Sequence, residues 1–142
     1  MKLVDANVLL YAVNEDAARH ESQRRWLDSA LSGQDTVAFA WVVLLAFVRL
    51  VTREGLFPSP LSIDEAMDRV EAWLAGPPAV LVHPTGEHPR LVRSLLHDLG
   101  AGGNLVNDAH LAALAIEHRC TIVSFDHDFD RFEGISRIAP AA

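Results

Sequence analysis

Four aspartates stand in settings where a carboxylate needs a reason. Asp5 lies inside MKLVDANVLLY, between apolar runs of the kind that pack inside proteins. An unpaired buried carboxylate costs several kcal/mol or gives up its charge. Asp108 opens the apolar, helically patterned NDAHLAALAIEH, and Asp126 and Asp128 stand in SFDHDF, directly after the strand-like CTIV. Each has a plain structural role open to it: the positive end of a helix for Asp108, turn formation for Asp126 and Asp128. Together they suggest more. Two unit charges about 4 Å apart repel by roughly 4 kcal/mol at an effective dielectric near 20, so converging aspartates must take up protons or hold a cation. Lys2 is the only lysine and arginines nearby are few, which leaves a metal ion as the natural counter-charge. Oxygen-only donors suit Mg²⁺ or Mn²⁺, which use one or two carboxylates, waters and substrate phosphate. Such an ion can activate water and stabilise charge in phosphodiester hydrolysis.

Convergence requires elements that bring these positions to one place. Apolar runs of strand length alternate with segments of helical period, which predicts an α/β domain with a mainly parallel sheet. KLV reads as the first strand, followed by helices in VLLYAVN and from Ala17 to Leu31. TVAFA is a second strand and WVVLLAFVRLVT a buried helix. SIDEAMDRVEAWLAG opens with Ser62 and Glu65 at capping-box spacing and closes at Gly76 and Pro77. AVLVH is a third strand, and Pro89 to Leu99 a helix stopped by Gly100. The next helix has Asn107 or Asp108 at its start, CTIVSF is the fourth strand, and GISRIA offers a fifth. In open parallel sheets ligands bind at the carboxyl ends of strands. Asp5, Asp126 and Asp128 follow strands on that edge, and the helix of Asp108 starts there.

Composition narrows the choices. The 142 residues, half of them hydrophobic and 22% charged, predict one folded domain over 1–142 rather than a disordered chain. The longest apolar run, Val37 to Val48, falls short of the roughly 20 residues of a membrane span. Asp5 and Asn7 interrupt any apolar leader, and the single Cys120 allows no intramolecular disulfide, so a cytoplasmic protein is expected. The lone lysine excludes a Walker-type phosphate loop. A net charge of −7 disfavours a polyanion partner unless basic residues cluster or a cation intervenes. Arg19, Arg24, Arg25, Arg49 and Arg53 form the one dense basic set, and an RNA path along them would offset that charge; surface pairing with Glu15, Glu21 and Asp28 is the alternative. None of the seven histidines has metal-ligand spacing. His110 and His127 flank the aspartates but suit structural roles, and His83, His88, His97 and His118 read as peripheral. Trp26, Trp41 and Trp73 read as core or interface residues.

Taken together, MKLVDANVLLY, GNLVNDAHLAALA and TIVSFDHDF resemble the PIN-domain ribonucleases, and among them the VapC-like toxins of bacterial type II toxin–antitoxin pairs. The WLDSAL helix preceded by His20, and WVVLLAFVRL, are similar to one branch of that group. The resemblance implies a PIN-like three-layer sandwich, a mainly parallel sheet of four or five strands flanked by helices. It implies a metal-dependent endoribonuclease that cleaves RNA, forms a homodimer and is held inactive by a cognate antitoxin. Carried over by position, Asp5 and Asp108 are the principal Mg²⁺ or Mn²⁺ ligands, Asp126 completes the acidic site, and Asp128 ligates directly or through water. Asn7 and Ser124 match polar residues that hydrogen-bond around the aspartates. One position departs: where the family usually carries a helix glutamate, this chain has Ala46. Arg49, three residues on, is then expected on the same helical face, contacting the scissile phosphate or balancing the aspartates. The missing glutamate keeps open a non-catalytic RNA- or protein-binding module. A receiver-type phosphoacceptor is disfavoured, because Lys2 stands at the wrong end of its strand.

Overall fold

The structure, a computed structural model, describes residues 1–55 and 58–140. The chain runs β1 (Lys2–Val4), α1 (Ala6–Val13), α2 (His20–Leu31), β2 (Val37–Phe39), α3 (Trp41–Val51), α4 (Ile63–Leu74), β3 (Ala79–Leu81), α5 (His88–Leu99), α6 (Val106–His118), β4 (Thr121–Val123) and β5 (Arg137–Ile138). Short 3₁₀ turns at Gly103–Leu105 and His127–Arg131 precede α6 and follow β4. The five strands form one parallel sheet in the order β3-β2-β1-β4-β5. The alternation of strand and helix patterns already dictated this, since parallel neighbours need crossover connections.

Helices α1 and α2 pack together, α1 against α3, and α3 against α4, while α5 packs against α6. Right-handed crossovers place these two groups on opposite faces of the sheet. The sheet interior is correspondingly dry: Leu3, Val4, Ala38, Phe39, Ile122 and Val123 are fully buried. Connections leave β1 towards β2 and β4 towards β5, in opposite directions. The crevice between the carboxyl ends of β1 and β4 is thus the switch point at which such sheets bind ligands.

Local signals hold, with two shifts. Ser62 and Glu65 complete the capping box of α4, and Gly100 ends α5 in the left-handed region at φ 71°. Helix α2 starts at His20 rather than Ala17, because Asn14 accepts from the Asp16 amide and turns the chain first. Helix α6 starts at Val106, continuing the preceding 3₁₀ turn, with no side-chain cap. Asn107 and Asp108 therefore lie inside the first turn and do not cap it. Helix α6 ends on Arg119, a non-glycine residue at φ 56°. A side chain pays about 1–2 kcal/mol there, and glycine gives back part of the difference in the unfolded chain. Arg119→Gly is expected to stabilise the fold by up to about 1 kcal/mol in urea denaturation; a loss of stability would mean that the Arg119 side chain makes a compensating contact.

Candidate metal centre

Strands β1 and β4 deliver the first part of the site. The Asp5 amide donates to Val123 O at 3.0 Å, and the Ser124 amide to Ile138 O at 3.0 Å, so both residues extend their strands by one position at the carboxyl edge. Asp5 also caps α1, accepting from the Ala6 amide at 2.8 Å. The Ser124 hydroxyl, fully buried, donates to Asp5 Oδ2 at 2.7 Å and accepts from Asn7 Nδ2 at 3.1 Å and the Asp126 amide at 2.9 Å. That exhausts a hydroxyl's one donor and two lone pairs. Asn7 completes the bridge, its Oδ1 accepting from the Phe125 amide at 3.3 Å. Asp126 then accepts from the Asp128 amide at 2.9 Å, which starts the 3₁₀ turn.

Helix α6 brings in Asp108. One carboxylate oxygen from each of Asp108, Asp126 and Asp128 lies within 4.8 Å of the others. Asp5 adjoins this group, and with Asp108, Ala46 and Arg49 it lines a cavity of about 360 Å³ between α3, α6 and the sheet edge. Burial and the charges of Asp126, Asp5 and Asp128 push the Asp108 carboxyl up to about 6. Burial likewise raises Asp5, against the lowering hydrogen bonds from Ser124 and Ala6, and with Asp126 adding to the rise. Among the described residues the near cations are poorly placed to neutralise the group: Arg131 stands 3.9 Å from Asp128 on an exposed side, and Arg49 makes none of the ion pairs. The donors are all carboxylate oxygens, the set that suits a hard divalent cation. The residues present fit such an ion.

The other expected site residues divide. Ala46 and Arg49 share the cavity with Asp5 and Asp108, while Asp126 and Asp128 lie outside its lining. Arg24 and Arg25 lie on the exposed side of α2, paired with Glu21 at 2.7 and 3.4 Å, outside the lining of that cavity. Arg19 instead stacks on Phe125, the residue before Asp126, its guanidinium 4.4 Å from the ring centroid. His127 is exposed. His88 is not peripheral: it bonds the buried Glu117 carboxylate at 2.6 Å and His110 Nδ1 at 2.8 Å, tying α5 to α6. Arg137 and Asp130, passed over in the sequence, join β5 to the turn that carries Asp126 and Asp128. Only the pairing of β5 with β4, invisible in sequence, brings them together.

A parallel sheet ordered 3-2-1-4-5 with an acidic crevice at its switch point defines a class of metal-site α/β domains, and comparison narrows it. The PIN domain family model matches residues 2–135. The chain is 60% identical to ribonuclease VapC37 of Mycobacterium tuberculosis over 142 residues, covering all of this chain and 99% of that one. It is 39% identical to ribonuclease VapC31 of the same species over 140 residues, with 99% of each covered. The chain belongs to the PIN-domain family and, within it, to the VapC-like proteins. Its fold matches the VapBC2 structure from Rickettsia felis, bound to a promoter DNA fragment, at TM-score 0.71 and 19% identity over 99% of this chain and 98% of that one. It also matches the sarcin–ricin-loop-cleaving toxin VapC20 of Mycobacterium tuberculosis, at 0.69 and 21% over 99% and all of that chain.

A carboxyl raised from 3.8 to about 6 by folding keeps a proton that the unfolded chain has lost, so metal-free stability falls as pH rises through that window. Asp108→Asn is expected to melt above wild type at pH 7 in EDTA, with the gap closing towards pH 4 and excess Mn²⁺ reversing the order. Equal melting curves throughout would show that Asp108 is not crowded by like charge. Ser124→Ala strands two donors and one carboxylate oxygen, and is expected to lose about 2–3 kcal/mol in urea denaturation. Ser124→Thr, which keeps the hydroxyl, should recover most of it.

Proposed function

We propose that this protein is a metal-dependent endoribonuclease that hydrolyses RNA phosphodiester bonds, acting as the toxin of a toxin–antitoxin pair. The observation that carries the reading is the set of three carboxylates within 4.8 Å, beside Asp5 and an open cavity, with the near cations among the described residues poorly placed to neutralise it. The names of its relatives support the reaction, since they are called ribonucleases. Asp5, Asp108 and Asp126 hold Mg²⁺ or Mn²⁺, with Asp128 ligating directly or through water. An ion held there would supply water activation and charge neutralisation at the phosphate.

The chain's own residues do the rest. Ser124 and Asn7 fix the rotamer of Asp5, so that its carboxylate keeps one orientation at the cavity wall. Arg49 lines the same cavity and takes a non-bridging oxygen of the scissile phosphate. Arg24 and Arg25 bind flanking RNA by exchanging Glu21 for phosphate, a contact that salt screens strongly. Trp41 and Leu45, apolar side chains exposed on α3 beside the cavity, fit a homodimer contact. A cognate antitoxin would silence the enzyme by placing a cation among the aspartates. No helix among the described residues is long and apolar enough to cross a membrane. Loss of the family's usual glutamate at Ala46 does not favour the non-catalytic alternative, because the aspartates retain a clustered geometry without it.

Mapping RNA 5′ ends after induction is expected to show new, position-specific ends with wild type and none with Asp108→Asn. With purified protein, cleavage should require Mg²⁺ or Mn²⁺ and vanish in Asp5→Asn; persistence in that variant would place the activity elsewhere. Ala46→Glu is expected to tighten Mn²⁺ binding, and an unchanged affinity would place that side chain outside the metal's reach. Charge reversal at Arg24 and Arg25 should weaken RNA binding and flatten its salt dependence.

A further inference from the structure

The aspartates from β4 do not sit on a strand. Asp126 caps, and Asp128 lies within, a short 3₁₀ turn, and a turn of that length has little stiffness of its own. One side chain ties it down. Arg137, on edge strand β5, is largely buried at 11% exposure. Its Nε donates to Asp130 Oδ1 at 2.9 Å and its Nη2 to Asp130 Oδ2 at 3.0 Å, a two-pronged fork onto one carboxylate. Its Nη1 donates to the Ser124 carbonyl at 3.0 Å. Its Nη2 also lies 3.0 Å from His127 Nδ1, which itself stands 3.4 Å from Asp130 Oδ2.

One guanidinium therefore grips residues 124, 127 and 130, on both sides of the two aspartates. We infer that Arg137 is a positioning residue for the metal centre: its fork on Asp130 and Ser124 holds the 126–128 turn where its carboxylates can meet Asp108. Asp130 is thereby a structural acid, spent on Arg137, in a run of acids that sequence alone cannot sort. The inference rests on the metal-centre reading above.

Charge and position make opposite forecasts, which makes the inference testable. Were Arg137 only a cation beside an acidic cluster, removing it would tighten cation binding, and a lysine in its place would change little. A planar fork cannot be rebuilt by lysine. Arg137→Lys is therefore expected to weaken Mn²⁺ binding about tenfold, in the range typical of lost supporting hydrogen bonds around metal ligands. Arg137→Gln should weaken it further despite the lost positive charge. Mn²⁺ affinity is read by electron paramagnetic resonance titration of free ion. Amide hydrogen exchange of residues 126–131 should accelerate in both variants, while melting curves confirm a cooperative fold. Unchanged affinity in Arg137→Lys, or tighter binding in Arg137→Gln, overturns the positioning role. Wild type and Asp108→Asn run alongside. If wild type binds Mn²⁺ no better than Asp108→Asn, the metal-centre reading itself fails and this inference with it; if only the Arg137 variants match wild type, the inference alone falls.

Discussion

Like charges crowded at one edge of a sheet are the constraint around which this molecule is arranged. One carboxylate oxygen from each of Asp108, Asp126 and Asp128 is held within 4.8 Å of the others, close enough for like charges to repel. Burial first, and then the charges of Asp126, Asp5 and Asp128, push the Asp108 carboxyl up. Nothing in the local chemistry of three aspartates would bring them together. They meet because a parallel sheet with buried inner strands and its flanking helices over-determine the positions of their backbones, and hydrophobic burial supplies the driving force. A bound divalent cation would turn the same repulsion into binding energy.

The supports are graded by how much backbone stiffness each aspartate lacks. Asp5 extends a central strand and caps a helix, so it needs only the Ser124 hydroxyl and Asn7 amide to fix its carboxylate. Asp108 rides in the first turn of α6, a helix whose Ala109, Leu111, Ala112, Ala113 and Leu114 are buried. The carboxylate itself has no hydrogen-bond donor among the described residues, and so stays free for a ligand. Asp126 and Asp128 occupy the least regular segment and carry the most external bracing, from Ser124 on one side and Arg137 on the other. Ser124 links the two central strands' ends in a single hydroxyl, which is why its loss reaches every part of the crevice.

The far face shows the same economy. Glu117, with its side chain 1% exposed, would be costly to bury alone. Burial pushes its carboxyl up, yet the donors Thr85 and His88 bring it below the ordinary glutamate range. These bonds sew the β3–α5 connection to α6, the helix that presents Asp108. Polar groups are thus spent at both ends of α6, and the apolar stretch between them fills the core.

Much was legible in the sequence, for reasons that are local or periodic. Strand and helix alternation determined a parallel α/β fold; the capping box at Ser62 and the glycine at 100 set two helix ends; Asp5 within an apolar run marked the carboxyl edge of β1. The order of acidic segments, with their spacing to predicted strands, brought Asp5, Asp108, Asp126 and Asp128 to one edge before any coordinates. What only the tertiary structure decided lay in pairings between distant segments. That Ser124 serves Asp5, that His88 joins Glu117 and His110, and that Arg137 claims Asp130 while leaving Asp126 and Asp128 in the cluster all depend on which strands and helices become neighbours. Side-chain type and sequence spacing carry periodicity along one element, but hydrogen bonds across elements are set by register and packing, which exist only once the chain has closed on its core.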